Sequence, residues 1–357
     1  MVAMKKLAAA LAFLSLAAPV RAQDIGAELD RIVADFDKAG GGFCGSVIVA
    51  SKGKVLLEKG YGLADAEAKK PIGTDALWDW ASVSKQFTAA AVLKLQDQKK
   101  LKVDDPISKF FKDAPADKAK VTLRQLLNHT SGIEAGFGSG EHWRCDSSKR
   151  DSFEQMMLKL PMTSKPGEKW EYSNSAYGFT AAIIEHVSGK TFEEFCVEQL
   201  FKPAGMKDAT FIGREGLDPK RVPKIERGAG FTDRPADYAF AYGNQMSWGY
   251  RGCGGAVATT RDMLQWDRAL RGDKVLSKVA LADLYKPGLR DYSLGWFMLK
   301  SPGGMRAEHG GGVKGVVTQY VRELDEDIVV ALACSYQPKA HPQQLAEALI
   351  GAVRRGK

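Results

Sequence analysis

The sequence predicts an α+β fold: one antiparallel sheet completed by both ends of the chain, flanked by terminal helices, with a mostly helical block inserted between. Three observations carry this. Strand-like runs lie at 43–60 and return only from residue 292 onward. The roughly 200 residues between them are dominated by helical spacing. Each end of the chain also carries an amphipathic helical segment.

In order, Asp24 to Lys38 places Ile25, Leu29, Ile32, Val33 and Phe36 at helical intervals and stops at Gly40-Gly41-Gly42. Phe43–Ala50 and Lys54–Gly60 read as strands joined by a Ser51-Lys52-Gly53 turn. A helix-forming run, Ala89 to Leu95, follows Ser82-Val83-Ser84-Lys85, and Leu101 to Phe111 is charged and proline-punctuated, as a surface segment would be. Val121–Leu127 reads as a short capped helix, and further helices fall at about 151–160, 174–188, 191–201 and 260–271. Between them, 133–150 and 228–255 are long, irregular, glycine- and aromatic-rich stretches, of the kind that walls a binding site. Tyr292–Leu299, Val316–Glu323 and Ile328–Cys334 read as strands, and Gln343–Arg354 as the closing helix.

Lys5 and Lys6, an apolar run from Leu7 to Ala18 and small residues at Val20 and Ala22 form a secretory leader, with cleavage expected before Gln23. The run is shorter than the ~20 apolar residues a membrane span needs. The expected organisation is a leader at 1–22 and one domain at 23–357, its sheet part at about 23–80 and 290–357 and its helical part at about 81–289. The product is expected to be secreted or periplasmic, monomeric and without a stable membrane anchor. Losing Lys5, Lys6 and Arg21 lowers the formal charge from +8 to +5, and no basic block remains, so a nucleic-acid partner is excluded. The five histidines are dispersed and no His-Glu-x-x-His occurs; neither a metal nor a cofactor is expected.

Three motifs carry chemistry. Ser82 and Lys85 stand three apart where a helix begins, so they share one face and the lysine can take the serine proton. An exposed helix face explains the same spacing. Tyr172 and Asn174 stand two apart ahead of a helix; the phenol can relay a proton and the amide can hold a substrate amide, or Ser173 and Asn174 simply cap that helix. His309-Gly310-Gly311-Gly312 lets backbone N–H groups approach a ligand beside a strand edge, with His309 giving a proton or hydrogen bond; a glycine turn with a surface histidine is the plain alternative. Together, in this order, they supply nucleophile and base, proton relay, and oxyanion and carboxylate recognition.

With these motifs the chain resembles the serine penicillin-binding protein and class C β-lactamase superfamily. The likeness extends to Leu126-Leu127-Asn128-His129-Thr130-Ser131-Gly132, Pro166-Gly167, Phe201-Lys202-Pro203-Ala204-Gly205-Met206 and Gly254-Gly255 leading to Thr260-Arg261-Asp262-Met263. It implies Ser82 as nucleophile, Lys85 as its base, Tyr172 as general base and acid, Asn174 and Gly311 on the substrate, His309 in the third motif, and the N–H groups of Ser82 and Gly312 as the oxyanion hole. Asn128-His129-Thr130 would be structural, away from the chemistry.

His309-Gly310-Gly311 in place of Lys-Thr-Gly, and Tyr-Ser-Asn in place of Tyr-Ala-Asn, resemble the carboxypeptidase, D-peptidase and esterase branches more than the β-lactamases. The implied function is an exported serine hydrolase of peptide-like amides or esters, cell-wall peptide among them. A true β-lactamase is the alternative, and a non-catalytic ligand-binding relative the alternative from another class. Two disulfides are considered: Cys44–Cys334, if the first and last strands are neighbours as in the family, and Cys145–Cys253 across the expected pocket walls.

Overall fold

The computed structural model describes residues 25–36, 38, 42–135, 149–214, 217–223, 241–242, 245–313, 315–335 and 341–356. Residues 1–24 and most of 133–150 and 228–244 lie outside these. Six strands form the central sheet: β1 (Gly45–Ser51), β2 (Lys54–Tyr61), β3 (Phe297–Ser301), β4 (Gly304–Val313), β5 (Val316–Glu323) and β6 (Ile328–Ser335). Their order is β3-β4-β5-β6-β1-β2, antiparallel throughout, so both ends of the chain meet where β1 pairs with β6. This is the fold class the sequence predicts.

Successive strand side chains point to opposite faces, and the buried residues separate accordingly. Val47, Val49, Val330 and Leu332 pack with Leu29 and Val33 of α1 (Ile25–Asp35) and with Leu345 and Leu349 of the closing helix, Pro342–Arg355. Ile48, Ala50, Ala331 and Ala333 face the helical part, where α2 (Lys85–Asp97) is buried almost all round. An all-round apolar helix belongs in a core rather than on a surface. The Thr260–Arg271 helix is pinned to the sheet by polar bonds: Tyr320 Oη donates to the Met263 carbonyl at 2.9 Å, and fully buried Arg322 donates through Nε to Asp267 at 2.7 Å. Asp267 also accepts from Arg271 at 2.9 Å. A buried guanidinium is tolerated only when paired in this way.

Neither disulfide is formed: Cys44, Cys334 and Cys253 are thiols. The residue directly opposite Cys334 is Gly45, not Cys44. A one-residue offset reverses the face, so Cys334 packs with the terminal helices while Cys44 packs against the core on the other face of the sheet. Cys253 is buried and donates to the Tyr250 carbonyl at 3.3 Å, and Cys145 lies outside the described residues. Among the described residues, no helix is long and apolar enough to cross a membrane.

Candidate active site

Ser82 does not open an α-helix as the sequence suggests. It sits in a 3₁₀ turn, Ala81–Ser84, that leads into α2, and its carbonyl accepts the Lys85 N–H. In a 3₁₀ turn positions i and i+3 eclipse, which stacks Lys85 directly on Ser82. Lys85 Nζ lies 3.1 Å from Ser82 Oγ, 2.7 Å from Asn174 Oδ1 and 3.0 Å from the Cys253 carbonyl oxygen. The lysine is fully buried, while Ser82 is half-buried. Two of its three partners can only accept. An ammonium donates to all three; a neutral amine still donates to Asn174 and Cys253 and turns its lone pair on the Ser82 hydroxyl. The cage therefore suits both protonation states, as a base that must gain and lose a proton requires.

Asn174 begins the Asn174–Ser188 helix, and Ser173 caps it by accepting the Ala176 N–H at 3.2 Å. With the cap supplied by its neighbour, Asn174 is left to face Lys85, and Tyr172 lies just before with its ring centroid 4.8 Å from Lys85 Nζ. The Tyr172 segment is held by His129, contrary to the expectation that His129 lies away from the chemistry. The His129 carbonyl accepts the Glu171 N–H at 2.8 Å, its Nδ1 accepts the Ser173 N–H at 3.0 Å, and its ring lies 4.3 Å from the Tyr172 ring. His129 adopts a φ of +62°, which turns the chain so that backbone and ring both reach this segment.

Gly304 to Val313 is a strand, β4, where the sequence suggested a glycine-rich approach or turn before a strand. β3 begins at Phe297, opposite Glu308, so β3 does not pair with β4 from His309 onward. That length runs beside the Ser82 turn. A Cβ on Gly311 would come within 2.5 Å of Thr318 Oγ1, 2.6 Å of the Trp80 carbonyl oxygen and 3.0 Å of Ala81 Cβ. Thr318 Oγ1 itself donates to the Trp80 carbonyl at 3.1 Å. Gly311 is thus a point of close approach between strand and turn, whereas a Cβ on Gly312 would meet nothing within 4 Å.

Of the two roles the sequence offers His309, a proton or a hydrogen bond, the structure shows hydrogen bonds. Its Nδ1 lies 2.6 Å from the Gly310 carbonyl, which can only accept, so the ring proton is on Nδ1. Nε2 is then the acceptor for the Tyr292 hydroxyl at 3.1 Å. Burial, reinforced by the nearby Lys85, pushes the His309 pKa down to about 3, and the same causes hold buried His129 well below its ordinary value. Both imidazoles are neutral at neutral pH, and the third motif carries no cation. Because the folded pKa of His309 lies below the ordinary 6.5, its contribution to stability is full above pH 6.5 and is lost as pH falls towards 3. Stability measured by denaturant titration is therefore expected to fall from pH 6.5 towards pH 3, and His309→Gln to fall less steeply.

Tyr292, His129, the Cys253 carbonyl and buried Tyr177 join the predicted residues. Tyr177 Oη bonds to the Leu127 carbonyl, and its ring lies 5.5 Å from Lys85 Nζ. Position three residues beyond Asn174 on one helix was the available signal for Tyr177; nothing local marks the others. Among the described residues no group of three or more His, Cys, Asp or Glu is placed to hold a metal.

A serine hydroxyl bonded to a lysine that also meets asparagine and tyrosine, between an antiparallel sheet and a helical block, is an arrangement set on the β-lactamase fold. The sequence model of the β-lactamase family matches residues 29–354, and the chain belongs to that family. It is 31% identical over 302 residues to penicillin-binding protein 4* of Bacillus subtilis, covering 79% of this chain and 66% of that one. It is 29% identical over 274 residues to the putative penicillin-binding protein PbpX of the same organism, covering 75% and 65%. The chain thus spans no more than about two thirds of these relatives' length. Among solved structures, the octameric penicillin-binding protein homologue from Pyrococcus abyssi superposes with a TM-score of 0.76 at 24% identity, covering 93% and 77%. The D-amino acid amidase from Ochrobactrum anthropi SV3 superposes with a TM-score of 0.76 at 21% identity, covering 92% and 98%, and these two likenesses speak for the fold alone.

Proposed function

We propose that the protein is an exported serine hydrolase that cleaves small ester or peptide-like amide substrates through an acyl-enzyme on Ser82. The observation that carries this reading is the Lys85 cage, whose three contacts serve base and conjugate acid alike. Ser82 Oγ attacks the substrate carbonyl carbon while its proton passes to Lys85, and the oxygen that becomes negative is received by the N–H groups of Ser82 and Gly312. Tyr172, beside Lys85, returns the proton to the leaving group, and Asn174 and the Gly311 strand edge hold the amide. Water enters in place of the leaving group, the same pair takes its proton, and the acid is released. The basic-then-apolar stretch at 1–22, with small residues at Val20 and Ala22, supports export.

A neutral His309 offers no charge to a substrate carboxylate, which favours esters and amides over β-lactams. The name of the Bacillus relative favours the second reading, a penicillin-binding or β-lactam-cleaving protein. A fluorophosphonate label is expected on wild-type protein and absent from Ser82→Ala; equal labelling of both would refute the enzyme reading and favour a non-catalytic ligand binder. In a panel of a short-chain p-nitrophenyl ester, a D-Ala-D-Ala peptide and nitrocefin, the ester is expected to turn over fastest. Nitrocefin turnover well above the ester reverses the ranking.

A further inference from the structure

Three residues before Ser82 lies a carboxyl that this acyl-transfer scheme leaves unused. Asp79 is 1% exposed, in a short strand, Trp78–Asp79, that pairs with Val257 and Ala258. Its Oδ1 accepts the Ala81 N–H at 2.8 Å, its Oδ2 accepts the Tyr250 hydroxyl at 2.7 Å, and the Gly255 N–H is a third donor. The Tyr250 ring lies flush on the backbone here, since a Cβ on Gly254 would come within 2.3 Å of it.

Ala81 has a φ of +46°, a left-handed conformation in which a residue with a Cβ is strained. Such strain persists only where the surroundings impose it, and it concentrates at functional sites. Here the Asp79 carboxylate grips the Ala81 N–H from one side, while the Trp80 N–H is tied to the Ala256 carbonyl at 2.9 Å. The segment that Asp79 grips through Tyr250 and Gly255 also holds Cys253, whose carbonyl accepts from Lys85. One carboxylate therefore anchors both the turn that presents the nucleophile and the strip of backbone that orients its base.

We propose that Asp79 is a positioning residue for acyl transfer: by clamping the left-handed Ala81 turn to the 250–255 segment it holds the Ser82 hydroxyl and N–H in register with Lys85. The inference rests on Ser82 being the nucleophile. Burial outweighs the three donors and pushes the Asp79 carboxyl up to about 6. Its folded value thus exceeds the ordinary 3.8, so the stability it contributes is full below about pH 4 and is lost as pH rises through about 6. Holding it ionised at neutral pH weakens the fold; an amide of the same shape removes that charge but has one acceptor oxygen, and its NH2 group is tolerated only where the Tyr250 hydroxyl rotates to accept it. The titratable groups facing it are Tyr250 and Cys253, both pushed upward by burial.

The test measures the rate of fluorophosphonate labelling from pH 5 to 9, with Tm at pH 8, for wild type, Asp79→Asn and Tyr250→Phe as full-length proteins. Asp79→Asn is expected to label about 30-fold more slowly at pH 8, with Tm within a few degrees of wild type, since the lost charge and the lost acceptor oxygen offset each other. The wild-type rate is expected to fall on the acid side through about pH 6, a limb that Asp79→Asn lacks and that Tyr250→Phe, short of one donor, moves upward. Labelling of Asp79→Asn within about twofold of wild type overturns the proposal, as does slow labelling with a lowered Tm and an unchanged acid limb. Ser82→Ala separates the two levels: if it still labels, the nucleophile assignment fails; if it does not, and Asp79→Asn labels normally, only the positioning role fails.

Discussion

Lys85→Met is expected to lower kcat/KM about 10⁴-fold, nearly as much as Ser82→Ala, and the double variant to be scarcely worse than either. The two side chains form one device. Lys85 Nζ is 3.1 Å from Ser82 Oγ, and no other amine or neutral imidazole is in hydrogen-bond contact with that hydroxyl among the described residues. Neither histidine is bonded to it: His309 bonds to Tyr292 and Gly310, His129 Nδ1 accepts from Ser173, and His129 Nε2 has no hydrogen-bond partner. Methionine fills the fully buried volume with a chain of similar length, so the fold is expected to survive. It leaves Asn174 Oδ1 and the Cys253 carbonyl without their donor, at about 1–3 kcal/mol each. Removal of a buried amine offsets part of that loss. Burst kinetics with a p-nitrophenyl ester, alongside thermal unfolding, checks both statements. A Lys85→Met protein that keeps more than about one per cent of the wild-type acylation rate would move the role of base to Tyr172.

The site was legible in the sequence where chemistry is local, and the fold where periodicity is. Ser82 and Lys85 share one turn, Tyr172 and Asn174 flank one helix start, and the structure brings all four to one place. The strands 45–51, 54–61, 316–323 and 328–335 alternate or run apolar, and were found on that account. Residues 304–313 do not read as a strand in the sequence, because three successive glycines and only Met305, Ala307 and Val313 as apolar residues suppress strand propensity. The strand is imposed by its neighbours β3 and β5, and the glycines serve the close approach to the Ser82 turn. Asp79, Tyr250 and the Cys253 carbonyl were invisible for a different reason: they meet across 171 residues of chain, or act through backbone, which carries no sequence signature. The disulfide pairing failed by a single residue of register, which neighbour relations between strands cannot supply.

The sharpest test of that glycine strand is a comparison of adjacent positions. Gly311→Val is expected to lose at least about 10³-fold in acylation rate, whereas Gly312→Ala stays within about threefold. Neither glycine has a φ in the left-handed region, so conformational freedom does not separate them. Space does. A Cβ at 311 would lie 2.6 Å from the Trp80 carbonyl and 3.0 Å from Ala81 Cβ, on the turn that presents Ser82, and 2.5 Å from Thr318 Oγ1. The Trp80 carbonyl is backbone and cannot rotate aside, so strand and turn must part, carrying the Gly312 N–H away from the Ser82 N–H. Losing one oxyanion donor alone costs about 10²–10³ in rate, and displacement of the nucleophile adds to it. Overpacking also costs about 1–3 kcal/mol of stability, read as a lowered Tm. At 312 a Cβ meets nothing within 4 Å, and a methyl group leaves the N–H in place. Equal acylation rates for the two variants would show that β4 does not contribute to the oxyanion site, whatever its contact with the turn.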